Sequence, residues 1–460
     1  MAYDISQIMM LVILLLPFAG ALLVKLLPPG YSLRAGFLIL LLQLACFPHV
    51  ARAVFSNSAY SVSAKILSGV FRCDIISLIF ATTSVFIGVF IYLFSMGYFI
   101  GEKEEEQQKF SFWGLVFVGS MMGVVLSDNL ILLYLFWEMA GLCSWKLIGF
   151  YRKDDHLLKA DKAFLITSAG AGFMMLSFAY IYVQTGSLSL SQIAQSSVSP
   201  LVFAFFFLGV ITKSASFPFH TWLPDASVAP TPVTAFLHAA VLVKIGIYGL
   251  LRVFGVTLSV SGWVMWAGWL ALLSSFIAGI LALREEDIKR VLAFSTVSQL
   301  GFMIAGLMIF NMAAIRGVII FYVAHALGKG CLFLCAGIAE RVFGTKNIME
   351  MGGLMKKMPA LTYAFLIGML SVIGIPPLPG FFGKLEVIAG MLVSRNVFFA
   401  LFAILTSVLT LLYLFRLFLH VFMGESRSVL SEDRKGFKPM IASVAILATV
   451  SILLGIALVM

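Results

Sequence analysis

Charge is what this chain lacks. Of its 460 residues 11% are Asp, Glu, Lys or Arg, against 61% apolar. So few charges cannot keep the surface of a soluble domain wetted, so a water-soluble fold is excluded and a polytopic helical membrane protein is implied. Cysteine is scarce too. Cys46, Cys73, Cys143, Cys331 and Cys335 lie in or near apolar runs. Cys331 and Cys335 sit one helical turn apart, which is not the spacing of an iron–sulfur or zinc centre, and all five read as small packing residues. No GxGxxG follows a strand and no P-loop occurs, so neither a cofactor nor a metal is expected, and the chain has no redox site of its own. Acidic residues are the minority sign, leaving a net charge of +10. No soluble basic stretch is long enough for nucleic acid, and the excess reads as membrane topology. The N-terminus lacks a basic leader, and Met9 to Val24 runs into Lys25 without a cleavage site, so this stretch is expected to be the first span.

What is present is a series of long apolar runs. At about 20 residues per crossing they make fourteen spans. The expected ranges are 8–27, 33–54, 74–98, 111–127, 129–150, 160–184, a split seventh at 200–214 and 217–228, 232–254, 262–283, 288–310, 313–340, a split twelfth at 358–394, 397–423 and 438–459. The loops then sort by charge. One side collects Lys103, Lys109, Arg152, Lys153, Lys159, Arg284, Lys289, Arg290, Arg341, Lys346, Lys356, Lys357, Arg427, Arg434, Lys435 and Lys438; the other holds chiefly Arg52, Lys65, Arg72 and Arg395. Positive loops stay inside, so both termini are expected on the outer face of a bacterial or archaeal inner membrane. Glu102, Glu104, Glu105 and Glu106 read as a solvated loop face.

The chain is organised around Gly209 to Arg252, GVITKSASFPFHTWLPDASVAPTPVTAFLHAAVLVKIGIYGLLR. An apolar run ends in Lys213. A break follows at Phe217, Pro218, Phe219 and His220, and a second run carries His238 and Lys244. Ionisable groups at bilayer depth are costly and mark ion paths or substrate sites. A Pro-interrupted span is tolerated only where protein or water satisfies the freed backbone. The segments KSASFPFHTWLPDA, APTPV and the helix opening around HAA resemble the central motif of the antiporter-like membrane subunits of proton-pumping NADH–quinone oxidoreductase. That superfamily also holds subunits of multisubunit sodium–proton antiporters and of membrane-bound hydrogenases. WEMAGLCSWKLIGF most resembles the L-type subunit of the quinone oxidoreductases, which usually continues past its fourteenth span into a lateral amphipathic helix; this sequence stops at Met460.

The resemblance and the placement of the two breaks imply an all-α fold with two inverted five-helix repeats, each holding a broken helix that lines the ion path. The expected divisions are a three-helix segment at 1–110, a first repeat at 111–254, a second at 262–423 and a final helix at 424–460. In the first repeat Glu138 lies mid-span, and the resemblance pairs it with Lys213, a pair that can be made and broken to move a proton. A static buried pair would add little net stability. Lys162 matches a family lysine and modulates the same site or snorkels. Lys146 either snorkels to the inner surface or competes for Glu138. His238 and Lys244 are six residues apart, so a distortion, or two different neighbours, is needed for both to serve one path. Asp225 and His220 flank the loop after the seventh span, with Asp225 capping or neutralising the entry.

The second repeat holds DIKRVLAFSTVSQLGFM, with Asp287 and Lys289 at the inner edge and Ser295, Ser298 and Gln299 placed to hold water. His325 and Lys329, at i and i+4, share a helix face and suit a relay. In IPPLPGFFGKLEVIAG the prolines break the helix; Lys384 is expected to face the path and Glu386, two residues on, another partner. The resemblance makes Lys384 the terminal donor; Arg416 matches a family arginine or instead anchors at the inner surface. The leading expectation is a proton-translocating subunit of a larger respiratory or hydrogenase complex, driven by redox chemistry in partner membrane subunits. The alternatives are a subunit of a sodium–proton antiporter or of a two-subunit bicarbonate-uptake system. Protons, or sodium, would be the cargo.

Overall fold

The computed structural model describes residues 4–57, 61–66, 69–255, 257, 259–260, 265–425 and 435–460. Arg427 and Arg434, counted above with the inner loops, lie outside the described residues, as does the side chain of Lys65. Among the described residues, twelve helices are long and apolar enough to cross a membrane, and two shorter apolar helices, Pro200–Lys213 and Pro359–Ile373, belong to the split spans. Each of the fourteen expected crossings therefore contains a helix, although the second half of the seventh is irregular.

The chain divides into two compact units. The first comprises Met1–Tyr92, Gly101–Lys213 and Ala240–Gly262. Its helices are α1 (Ile5–Leu26), α2 (Ser32–Ser56), most of α3 (Ile75–Tyr98), α4 (Glu104–Leu126), α5 (Leu130–Ile148), α6 (Asp154–Thr185), α7 (Pro200–Lys213) and α10 (Leu242–Leu250). Packing runs from α1 onto α2 and α4, then α4 to α5, α5 to α6 and α6 to α7, with α10 against α4, α5 and α7. Small residues let these helices approach. At Gly170 a Cβ would overlap Thr212 Oγ1, so only glycine admits α7 beside α6.

The second unit comprises Leu93–Ile100, Ser214–Ala239 and Trp263–Met460. It holds the single turn α8 (Trp222–Asp225), α9 (Thr231–Ala235), α11 (Met265–Arg284), α12 (Ile288–Leu307), α13 (Met312–Phe343), the short α14 (Leu354–Lys357), α15 (Pro359–Ile373), α16 (Pro379–Val393), α17 (Val397–Phe422) and α18 (Phe437–Val459). Nearly every residue of α12 is buried. A helix buried all round lies inside its unit, and α12 packs on α11, α13 and α17.

Four local readings are corrected. Glu104, Glu105 and Glu106 form the first turn of α4, where carboxylates favour the positive helix end, and not a loop. Likewise α6 starts at Asp154, with acids in its first turn. The stretch 217–228 is no half-helix: it is an irregular segment with one α turn and a 3-10 turn at Ala226–Val228. A hairpin, β1 (Ser61–Ile66) with β2 (Gly69–Asp74), fills the link before α3. Gln7 Nε2 donates to the Ser63 carbonyl at 2.8 Å, so the hairpin lies at the membrane face where α1 begins. A second, two-residue pairing joins β3 (Ser197–Val198) to β4 (Ser259–Val260).

Both breaks carry a cis X–Pro bond, Phe217–Pro218 and Pro376–Pro377. At the first, α7 stops at Lys213, Ala215 takes φ 49°, and the freed Phe217 N–H donates to Ser274 Oγ at 2.8 Å. At the second, α15 closes on Gly374 and α16 opens on Pro379, where a missing N–H costs nothing.

Candidate ion-translocation site

In the first unit, α7 carries Lys213 to its last position, fully buried. Its Nζ donates to the Trp137 carbonyl at 3.2 Å and lies 5.4 Å from the centre of the Trp137 ring. Glu138 is the next residue on α5. Its Oε2 accepts from Ser168 Oγ of α6 at 3.0 Å, while Oε1 is buried without a hydrogen-bond partner among the described residues. The carboxylate is near enough to act on Lys213 electrostatically. Among the described ion pairs, Lys213 and Glu138 do not form one. The structure thus brings the two groups to the same stretch of α5 and leaves the bond between them unmade. Lys162 is half-buried on α6. Lys146 is exposed and rests over the Trp145 ring at 3.9 Å, the snorkelling arrangement.

The distortion required between His238 and Lys244 is present. Phe236–Ala240 is a π turn, and Val241 at φ −128°, ψ −77° interrupts the helix before α10. π turns inside α-helices recur at functional positions. The Ala240 carbonyl accepts from Ser84 Oγ of α3 at 2.9 Å. His238 and Lys244 are both fully buried. The chain passes from the second unit to the first inside this turn, so His238 belongs to the second unit and Lys244 to the first.

In the second unit, His238 stacks on Phe333 of α13, centroids 4.3 Å apart. Neither ring nitrogen has a hydrogen-bond partner among the described residues. Lys329, one turn before Phe333, is fully buried and donates to Ser295 Oγ at 2.7 Å and to the Leu292 carbonyl at 2.9 Å, both on α12. Ser295 continues to the Tyr413 hydroxyl at 3.0 Å, and Gln299 donates to Tyr413 at 3.1 Å and to Thr410 at 2.9 Å. Ser298 meets Ser275 at 3.3 Å. The residues expected to hold water are therefore engaged by side chains of α11 and α17. Tyr413 and Thr410 were not legible as path residues; three apart, they form a polar stripe on an apolar helix. His325 is fully buried, with its ring 6.2 Å from Phe321. Lys384 lies between the rings of Phe321 and Phe302 at 5.2 and 5.5 Å, and its Nζ has no hydrogen-bond partner among the described residues.

The groups expected at the inner edge form ion pairs. Asp225 meets Arg290 at 3.0 Å, and Arg290 also holds Glu285 at 2.8 Å. Burial pushes the Glu285 carboxyl up, but its bonds from Arg290 outweigh this and hold it below its ordinary value. Asp287 caps α12, and there burial prevails and raises its carboxyl. Lys289 is paired with Glu340 at 2.6 Å. Arg416 donates to the Glu285 carbonyl at 2.8 Å. Glu386 pairs with Arg316 at 2.5 Å and so turns to a different partner from Lys384.

Membrane-length helices, two spans interrupted by proline, and lysines buried in both units are the features of an antiporter-like membrane subunit. The family described as NADH:quinone oxidoreductase/Mrp antiporter, transmembrane, matches residues 127–410, and the chain belongs to it. The chain is 36% identical over 383 residues to the A1 subunit of the Na(+)/H(+) antiporter of Staphylococcus haemolyticus, covering 76% of this chain and 47% of that protein. The corresponding Na(+)/H(+) antiporter subunit of Alkalihalophilus pseudofirmus is 36% identical over 384 residues, 76% of this chain and 48% of its own. The A1 subunit of Staphylococcus aureus is 34% identical over 416 residues, 83% and 52%. The chain spans about half the length of these relatives. A chain of the Mrp complex from Dietzia sp. DQ12-45-1b shares the fold at a TM-score of 0.87 and 21% identity, over 99% of this chain and 95% of that one. The family's description covers both readings, but the relatives are named as antiporter subunits and so favour the antiporter alternative over the respiratory or hydrogenase one.

Proposed function

We propose that the chain exchanges protons for sodium as one membrane subunit of a multisubunit Na+/H+ antiporter. The observation that carries this is the identity of 34–36% to these antiporter subunits over most of the chain. The buried cations supply the means. In the first unit, protonation at Glu138 or arrival of charge at Lys213 makes or breaks their attraction, and Lys244 takes the next step. In the second, His238, Lys329, His325 and Lys384 carry charge among serine, tyrosine and ring contacts, with Lys384 as the terminal donor. The two sets are joined in sequence through the turn that holds His238. Lys162, Asp225 and Glu386 set the local field. Both termini face outward in this reading, as the charge of the loops supports.

The test is sodium-induced collapse of a proton gradient in everted vesicles holding the intact complex. Wild type should exchange, and Lys213→Ala should assemble without exchanging. Exchange at the wild-type rate by an assembled Lys213→Ala complex would overturn the role of the buried lysine. An intact complex that moves protons on addition of NADH, with no response to sodium, would overturn the antiporter reading.

A further inference from the structure

Near the membrane face where α1 begins, the first unit holds a partly open cavity of about 270 Å³ that none of the steps above uses. Its walls include Arg72, Asp74, Ser77, Asp128, Tyr248 and Arg252. Ser191 and Ala194, which also line it, are exposed. Asp128 accepts from Ser189 at 2.9 Å and from Ser191 at 2.6 Å. Arg252 grips both oxygens of Asp74, at 2.6 and 2.7 Å, and donates to Ser77 at 2.9 Å and through Nε to the Tyr248 hydroxyl at 3.0 Å. That hydroxyl donates to the Val125 carbonyl at 2.7 Å and lies 3.4 Å from Ser77 Oγ. A cavity of this size, lined in part by these charged and hydroxyl groups, has room for several waters, at about 30 Å³ each.

The cavity connects to the buried path by helix geometry. Lys244 and Tyr248 are at i and i+4 in the regular part of α10, which places their Cβ atoms about 5–6 Å apart on one face. Arg252 is a further four residues on and touches Tyr248 directly. Lysine, tyrosine and arginine thus run from mid-span to the cavity.

We propose that Tyr248, positioned by the Asp74–Arg252 pair, is a proton outlet through which Lys244 exchanges with water in this cavity. The step is balanced. The Tyr248 proton turns from the Val125 carbonyl to a cavity water as the oxygen accepts a proton from the Lys244 ammonium; the tyrosine is unchanged, the amine is left neutral and one proton reaches the cavity. Return reverses each transfer. Arg252 keeps Asp74 ionised, so the carboxylate draws the departing proton outward without storing it. The inference rests on the proposal that Lys244 carries protons.

The experiment uses the intact complex in vesicles and three variants. Tyr248→Phe keeps the ring and removes the relay; exchange should fall roughly tenfold or more with the amount of assembled complex unchanged. Lys244→Ala separates the two proposals. If it exchanges normally, Lys244 carries no protons and the underlying reading fails. If it is inactive while Tyr248→Phe exchanges at the wild-type rate, only the outlet fails. Thr257→Cys, on the cavity wall, should react with an impermeant thiol reagent from the N-terminal side and lose exchange on reaction. An assembled Thr257→Cys complex that resists the reagent, or exchanges normally once modified, shows a dry or idle cavity and overturns the outlet. This second measurement decides the matter even where Tyr248→Phe fails to assemble.

Discussion

The Lys213 ammonium donates to the Trp137 carbonyl at 3.2 Å, one residue short of the Glu138 carboxylate that acts on it. The lysine is held by the α5 backbone, and the carboxylate by Ser168 of α6. A side-chain movement that brought the two together would make the pair. A permanently closed pair would be a static tie, which is the poorer use of two buried charges.

Loss of either charge should therefore stop transport before it harms the fold. Lys213→Ala and Glu138→Ala are each expected to lower sodium–proton exchange roughly a hundredfold, with the assembled complex recovered at normal yield. Ser168→Ala, which only releases the carboxylate, should retain activity at a reduced rate. Vesicle exchange assays beside gel quantitation of the complex would check all three.

Gly141 gives a finer probe. A Cβ there would stand 3.3 Å from Lys213 Nζ, tighter than ordinary contact, so the ammonium must shift by a few tenths of an ångström. Gly141→Ala is expected to slow exchange several-fold while leaving thermal stability within about 1 kcal/mol, since alanine also favours the helix. A variant with wild-type kinetics would show that the position of the ammonium is not critical.

Lys384 separates function from stability. Its ammonium is buried between two rings with no hydrogen bond among the described residues, a costly placement. Lys384→Met keeps the length and removes the charge. Its melting temperature should rise while exchange is lost. A lower melting temperature would mean that the charge serves the fold.

The Asp74–Arg252 pair sets a pH limit. Burial pushes the Asp74 carboxyl up, but two hydrogen bonds and the charge of Arg252 more than offset this and hold it at about 2, against an ordinary 3.8. A lowered carboxyl stabilises the folded state above its unfolded value and loses that contribution as pH falls through its folded value. The pair's contribution should therefore be constant through neutral pH and fade between 3.8 and about 2. Thermal unfolding followed against pH should show this slope in wild type, and Asp74→Asn should lack it.

Much of the fold was legible because its signals are local and large. A run of about 20 apolar residues identifies a crossing by itself. A lone lysine in such a run is expensive wherever the helix packs, so Lys213, Lys244, Lys329 and Lys384 stood out before any partner was known. Helical periodicity called for a distortion between His238 and Lys244 or a different neighbour for each, and a π turn supplies the first. Other features had no such mark. Asp74 reads as an acid at the mouth of a span and Arg252 as a base at the end of another, and nothing in either stretch announces the other.

The amino-acid order alone determined that the chain crosses a bilayer many times, where two crossings break, and which charges lie at depth, because the cost of leaving water is set residue by residue. Tertiary structure alone decided who answers each charge. Asp74 and Arg252 are 178 positions apart, Lys329 and Ser295 are 34, and Glu138 and Ser168 are 30. Those partners depend on the rotation and depth at which each helix packs on its neighbours, set by many weak contacts, small residues among them, that no short stretch of sequence contains.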